Sequence, residues 1–307
     1  MVKKSIFSKP LVIDGSMSTS LERLGCDTDN ALWTAAALIK QPELVYQVHY
    51  EYFVAGARLA ITDTYQANLA ALKQNAGLDE QAARAVIQKA VTLAKQARND
   101  YEKKTGIHNY VAGSLGPYGA YLADGSEYRG DYELTEAEYQ EFYRPRIEEI
   151  TKVGVDCLAL ETQPKLSEVK AVLDLLKAEY PDQKVYVTFT LKDAATISDG
   201  TPLKQAAQTV NEYDQVIGMG INCIPPRLVT PAIKNLKAAT DLPIVVYPNS
   251  GAIYDPKTKT WSKPAKEDDF GNLTKEWLAA GATIIGGCCT TTPQDIQKIA
   301  VVIKEQN

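Results

Sequence analysis

The chain has 307 residues, 45% of them hydrophobic and 23% charged, a balance that supports a large buried core and excludes extensive disorder. Lys and Arg number 33 against 38 Asp and Glu, a net charge of −5 with no long run of either sign, which argues against a nucleic-acid or membrane-surface partner. Residues 1–10 hold no apolar stretch of the secretory type, no segment approaches the roughly 18 apolar residues of a membrane span, and five irregularly spaced cysteines do not form a disulfide framework, so a cytoplasmic protein with reduced or metal-bound thiols is expected.

In chain order, short β-branched runs alternate with stretches of helical periodicity, and the alternation recurs eight times. The predicted strands are 11–15, 58–64, 110–115, 157–162, 184–190, 216–223, 243–249 and 283–287. Most are nearly continuous apolar runs, as strands buried on both faces of a parallel sheet should be. Pro145 lies inside the third helical stretch, where it is expected to kink or end the helix. In the fourth, Val169, Val172, Leu173 and Leu176 form an i, i+3, i+4, i+7 stripe behind Ser167 as expected N-cap. Thr201-Pro202 and Thr230-Pro231 open the fifth and sixth helices. The eighth starts at Thr292 with Pro293 in the first turn and Asp295 completing a capping box, and Ile296, Ile299, Ala300 and Ile303 form its stripe.

Loop lengths give the strands a direction. Helix-to-strand connections are short, as at Gly154-Val155 and Gly281-Ala282, whereas the long segments 16–42, 116–134 and 250–266 all follow strand C-terminal ends. Eight such units predict a single-domain α/β fold over 1–307, a (β/α)8 TIM-type barrel with its active site on the C-terminal face. A doubly wound open sheet fits the same element count, but no Gly-x-Gly-x-x-Gly or Walker-type loop accompanies it.

Two predicted strands end in cysteine: Cys223 closes the sixth in Gly220-Ile221-Asn222-Cys223, and Cys288-Cys289 closes the eighth after Gly286-Gly287. Adjacent strand residues point to opposite sides, but the glycines permit a bend that swings both sulfurs toward the barrel axis. Three thiolates favour Zn2+ and leave a fourth tetrahedral position open, the mark of a catalytic site. With Zn2+ they carry a net charge of −1, which suits the binding of a further thiolate better than the polarising of a carbonyl. Buried unligated thiols or a redox pair are the alternatives for Cys288-Cys289. Cys26, in a loop, and Cys157, at the start of a buried strand, read as structural. So do His49 and His108, and no Ser-His-Asp or two-His metal constellation is present.

These residues resemble the zinc-dependent homocysteine S-methyltransferases, whose barrel is shared by betaine-homocysteine methyltransferase and the homocysteine module of methionine synthase. The resemblance spans nearly the whole chain. It rests on Gly220-Ile221-Asn222-Cys223 and Gly286-Gly287-Cys288-Cys289, supported by Asp14-Gly15, Glu161-Thr162 and Tyr247-Pro248-Asn249-Ser250-Gly251. It implies that Cys223, Cys288 and Cys289 bind zinc and that Asp14 and Glu161 hold the homocysteine ammonium. Gly15, Asn222 and Asn249 are implied as further substrate contacts, and the backbone near Gly15 suits the substrate carboxylate.

The loop Gly125-Ser126-Glu127-Tyr128-Arg129-Gly130-Asp131-Tyr132, behind Gly116-Pro117-Tyr118-Gly119-Ala120-Tyr121, looks like that of the subgroup using S-methylmethionine. Aromatic faces with a carboxylate suit a sulfonium cation, which singles out Glu127 and Tyr128 as donor contacts. The implied reaction is direct attack of a zinc-bound homocysteine thiolate on the donor methyl group, with no catalytic residue beyond the zinc site. S-adenosylmethionine and betaine as donors, selenocysteine-related substrates, and a non-catalytic zinc or redox barrel are the rival readings.

Overall fold

The computed structural model describes residues 6–251, 254–255, 260–261 and 269–306. Its main sheet contains β1 (Leu11–Val12), β2 (Leu59–Ile61), β3 (Tyr110–Leu115), β4 (Cys157–Gln163), β5 (Val185–Phe189), β6 (Val216–Asn222), β7 (Ile244–Tyr247) and β8 (Ala282–Ile285). The order around it is β1-β8-β7-β6-β5-β4-β3-β2, and every neighbouring pair is parallel. A parallel bridge from Ile13 to Leu59 joins the two ends, with Asp14 N–H donating to Leu59 C=O at 3.1 Å. The sheet therefore closes into a barrel, and the doubly wound alternative falls.

Each predicted strand is found, several of them shorter by a residue or more at the ends. β1 keeps two of its five predicted residues as regular strand, although Ile13 still bridges to Leu59 and donates its N–H to Ile285 C=O at 2.8 Å. Side-chain alternation divides the core in two. Leu11, Ile13, Leu59, Cys157, Ala159, Tyr186, Val245, Tyr247 and Ile284 pack inside the barrel with Phe7, which lies upstream of β1. Val12, Leu158, Leu160, Val185, Val187, Ile221, Ile244 and Val246 face outward onto the helices. Continuing the inward series Cys157, Ala159 by two more residues reaches Glu161 at the mouth.

The outer layer consists of Pro42–Val54, Glu80–Thr105, Glu136–Val153, Leu166–Glu179, Leu203–Val210, Val229–Lys237, Phe270–Ala280 and Pro293–Glu305. The last opens with the predicted Thr292–Asp295 capping box. Pro145 does not end its helix, which runs on to Val153. That helix starts in a Thr135–Glu138 capping box and buries Tyr139, Tyr143, Arg146, Ile147 and Ile150, contacts that hold its C-terminal half in place. Ser167 is not a cap either. The fourth outer helix begins one residue earlier, at Leu166, whose N–H is taken by the Asp199 carboxylate at 3.1 Å. Among the described residues no helix is long and apolar enough to cross a membrane.

Two of the three long loops are described for their whole length and carry helices of their own: Met17–Arg23 and Ala35–Lys40 after β1, and Tyr118–Leu122 and the 3-10 turn Ser126–Tyr128 after β3. Most of the third, 250–266, lies outside the described residues.

Candidate active site

β6 delivers Cys223 by a route that tolerates little change. A Cβ at Gly220 would sit 1.7 Å from the Val245 carbonyl oxygen, so β6 and β7 approach closely only because residue 220 is glycine. Cys223 itself then adopts φ 52°, a left-handed conformation uncommon outside glycine. The preceding Asn222 is fully buried. Its amide donates to Thr162 Oγ1 at 2.8 Å and its Oδ1 accepts from Thr162 N–H at 2.9 Å. Thr162 is also left-handed, at φ 58°, and interrupts the β4 register between Leu160 and Gln163. Such a bulge re-aims its neighbour, here Glu161. Asn222 thus meets Thr162 and stands behind the cavity wall.

The expectation for Gly286 and Gly287 holds in outcome but not in mechanism. Neither is left-handed. What they permit is close approach, since a Cβ on Gly287 would lie 2.4 Å from Thr291 Oγ1 and one on Gly286 would lie 2.9 Å from the Asp14 carbonyl oxygen. The turn that follows is made by Thr290 at φ 64° and by Thr291, whose N–H and hydroxyl both donate to Cys288 C=O at 3.1 and 2.6 Å. Thr291 also accepts from Ser16 N–H at 3.2 Å, tying the loop after β8 to the loop after β1. Ser250 N–H donates to Cys289 C=O at 3.2 Å and ties in the loop after β7.

The result brings the three cysteines together. Cys223 Sγ and Cys289 Sγ are 3.5 Å apart, Cys288 Sγ and Cys289 Sγ 4.0 Å, and all three sulfurs lie within 4.8 Å of one another. A zinc tetrahedron with Zn–S of about 2.3 Å has edges of about 3.8 Å, so the set fits that ion. Among the described residues no other group of His, Cys, Asp or Glu forms such a cluster. Cys288 and Cys289 hold the Cys223 thiol below its ordinary range by donating to it, and the same contacts push their own thiols up. Cys223, Cys288 and Cys289 would be the ligands of a cation here, and holding one would require all three as thiolates. Cys26 and Cys157 are buried away from the cluster.

The sulfurs sit on the wall of a cavity of about 580 Å3 at the C-terminal mouth of the barrel, which Asp14, Gly15, Glu127, Tyr128 and Glu161 also line. Asp14 is buried and accepts from Ile61 N–H at 2.9 Å; burial raises its pKa, and the charge of Glu161 adds to the effect. Glu161 accepts from the Ser114 hydroxyl and from Tyr247 Oη, the latter at 3.1 Å. Burial pushes it up to about 7. Asn249 is buried outside the cavity lining, its N–H donating to Ile224 C=O at 3.0 Å.

The loop after β3 brings Tyr128 Oη to 3.1 Å from Cys223 Sγ, so this tyrosine touches the cysteine cluster itself. Glu127 is pinned through its carbonyl, which accepts from Thr190 Oγ1 at 2.9 Å, while its buried Oε2 has no hydrogen-bond partner among the described residues. Burial pushes Glu127 up to about 7.

Several residues that shape the site were not singled out from sequence. Trp33, Asp63, Tyr65 and Gln66 line the cavity on the loops after β1 and β2. Buried Arg146 donates to the carbonyls of Tyr65 and Gly116, each at 2.7 Å, which binds the loops after β2 and β3 into one unit. Beside it, buried Glu168 accepts from Tyr118 N–H at 2.6 Å, Tyr143 Oη at 2.7 Å and Tyr132 Oη. The one available sequence signal was Asp63, a charge within an otherwise uncharged strand end. His49 is buried with neither ring nitrogen paired among the described residues and is pushed down to about 4 by burial, and His108 is exposed beside Glu102, so neither histidine reaches the site.

The comparisons agree with this geometry. The family model described as homocysteine S-methyltransferase matches residues 11–303. Homocysteine S-methyltransferase YbgG of Bacillus subtilis (strain 168) is 45% identical over 295 residues, covering 94% of this chain and 93% of its own. Homocysteine S-methyltransferase of Escherichia coli (strain K12) is 47% identical over 289 residues, covering 93% of each. The crystal structure of the homocysteine methyltransferase MmuM from Escherichia coli in its metallated form superposes with a TM-score of 0.87 at 44% identity, over 96% of each chain. With a family match over nearly its whole length and relatives this similar across both chains, the protein belongs to the homocysteine S-methyltransferase family of enzymes.

Proposed function

We propose that the protein transfers a methyl group from S-methylmethionine to the thiol of homocysteine, forming methionine from both, with a zinc ion held by Cys223, Cys288 and Cys289. The observation that carries the reading is the meeting of three sulfurs on the wall of a cavity that also holds the buried carboxylates of Asp14 and Glu161. A zinc ion in that ligand set lowers the pKa of a substrate thiol while leaving the sulfur nucleophilic.

The chain's own residues bind and orient. Asp14 and Glu161 present acceptor oxygens to the homocysteine ammonium, with the Ser114 hydroxyl and Tyr247 Oη fixing the Glu161 carboxylate. Gly15 lines the cavity beside Asp14 and lets Thr291 and Tyr52 pack against it, where a Cβ would meet both at 2.9 Å, and Asn222 serves at one remove by holding Thr162. Asn249 belongs to the strand-end shell that supports Cys223 and Cys289. Glu127 and Tyr128 wall the side from which the donor arrives, and Tyr128 adds a hydroxyl to Cys223.

In the transfer, the homocysteine sulfur forms a bond to the donor methyl carbon as the old carbon–sulfur bond breaks. The electron pair stays on the departing sulfur, the sulfonium becomes a neutral thioether, and the thiolate charge is consumed. No proton moves once the thiol has ionised, in keeping with a site in which no histidine takes part. Charge is lost on the way to the transition state, so a cavity that excludes water favours the reaction. S-adenosylmethionine presents the same sulfonium and is the alternative donor. The thiolates that this ligand set needs also favour a reducing compartment such as the cytoplasm.

The test is methionine formation from homocysteine and S-methylmethionine by purified protein, before and after chelation. About one zinc per chain and loss of transfer on chelation, restored by zinc, are expected. Full activity in metal-free protein overturns the zinc reading, and preference for S-adenosylmethionine or betaine overturns the donor.

A further inference from the structure

We propose that Asp63 receives the α-ammonium group of the methyl donor and so restricts the enzyme to sulfonium donors built on an amino acid. The inference rests on the S-methylmethionine reading above and adds the residue that would enforce it.

Asp63 lies two residues past the end of β2 and lines the same cavity as the cysteines. It is 4% exposed. Its Oδ1 accepts from Thr34 Oγ1 at 2.5 Å, whereas its Oδ2 is buried with no partner among the described residues. None of the ion pairs among those residues includes it. Glu168 is compensated by three donors, Glu161 by two, and Glu149 by Arg84 at 2.8 Å, whereas Asp63, like Asp14 with its single donor and Glu127 with its unpaired Oε2, faces the cavity under-compensated. A carboxylate withdrawn from water with one hydrogen bond and no counter-ion is costly, and a ligand cation would offset that cost.

The surroundings favour a cation as well. Trp33 and Tyr65 line the cavity on the same side, their rings edge to face with centroids 6.0 Å apart. Such faces attract positive charge. Trp33 holds φ 50°, a conformation expensive for so bulky a residue and characteristic of functional sites.

The geometry of the reaction gives a second acidic group a use. In-line displacement places the attacking sulfur, methyl carbon and leaving sulfur in a row, so the amino acid heads of acceptor and donor diverge from it. Asp14 and Glu161 line the cavity from the ends of β1 and β4. Asp63 lines it from the loop after β2, where Thr34 of the loop after β1 holds its Oδ1 and leaves Oδ2 open. One centre for each ammonium is the arrangement that two amino acid substrates need.

The experiment compares kcat/KM for S-methylmethionine with that for 4-dimethylsulfoniobutanoate, which differs from it only in lacking the amino group. Wild-type enzyme should prefer S-methylmethionine by about 100-fold. Asp63→Asn should cut that preference to within about 3-fold, chiefly through KM for the donor, and Asp63→Glu should restore part of it. Equal use of the two donors by the wild type overturns the assignment without needing any variant. So does an Asp63→Asn enzyme that loses activity equally with both, which is what a structural role alone predicts. If neither sulfonium methylates homocysteine while S-adenosylmethionine does, the proposed donor fails and this inference falls with it.

Discussion

The two walls of the cavity are built on different principles. The wall carrying Cys223, Cys288, Cys289, Asp14 and Glu161 stands on strand ends, and its backbone is cross-tied: Asn222 to Thr162, Thr291 to Cys288 and Ser16, Ser250 to Cys289. The wall carrying Trp33, Asp63, Gln66 and Glu127 stands on loops, those after β2 and β3 joined from behind by Arg146, and it keeps three buried acceptor oxygens without partners among the described residues, on Asp63, Gln66 and Glu127. A paired wall is pre-organised before substrate arrives. An unpaired one completes its hydrogen bonding with the ligand. The first fits a step in which atoms must be held to fractions of an ångström, the second a donor that must enter, react and leave.

Breaking the first wall should have the largest effects. Cys288→Ser removes one of the three clustered sulfurs and, on the proposed zinc reading, should lose both bound zinc and at least about 1,000-fold of activity, read by metal analysis and by methionine formation. Normal zinc content with normal turnover would remove Cys288 from the metal set. Glu161→Gln should raise KM for homocysteine by about 100-fold while changing KM for the donor much less. It also carries a pH signature. Burial places the folded pKa at about 7 against an ordinary 4.5, so the folded state binds the extra proton, and this contribution to stability is present at low pH and lost as pH rises from about 4.5 through 7. Glutamine has no such dependence. The melting temperature of substrate-free Glu161→Gln should therefore climb relative to wild type between pH 5 and pH 8, by an amount corresponding to on the order of 3 kcal/mol. A constant difference across that range would show that Glu161 is already ionised in the folded protein.

The same contrast explains what the sequence disclosed. Strand ends were readable because parallel strands buried on both faces are apolar runs, and because a cysteine or carboxylate placed where such a run stops has few bland explanations. Cys223, Cys288, Cys289, Asp14 and Glu161 were all placed that way or through the family resemblance. The left-handed backbone at Cys223 and Thr162 left no trace, since neither residue is glycine. The expectation that Gly286 and Gly287 supply the bend misplaced it, because their role is close approach to Asp14 and Thr291. Arg146 and Glu168 read as ordinary polar positions of helices, and their burial depends on the carbonyls and tyrosine hydroxyls that tertiary packing brings to them. Trp33 and Asp63 are distant in sequence and line one cavity only because the loops after β1 and β2 meet, through Thr34 with Asp63 and Trp33 with Tyr65.

Smaller effects should follow from loosening the ties instead of removing the ligands. Asn222→Ala leaves the Thr162 N–H without its acceptor in a buried site, at a cost of about 1–3 kcal/mol in stability. It should lower kcat/KM for homocysteine about 10-fold or more, because Glu161 is aimed by the bulge that Thr162 makes. Stability lost with unchanged kinetics would confine Asn222 to the fold.

Tyr128→Phe should have the smallest effect, and it tests whether the loop after β3 acts on the wall that carries the cysteines. The hydroxyl lies 3.1 Å from Cys223 Sγ, and a hydrogen bond donated to a thiolate withdraws charge from it, so its loss should leave the sulfur a stronger donor to zinc. Zinc content should stay at about one per chain, because three sulfurs remain, while turnover falls by about 3- to 10-fold. Loss of zinc would mean that the hydroxyl shapes the ligand set itself. No change in turnover would leave the two walls independent, joined only through the substrates that lie between them.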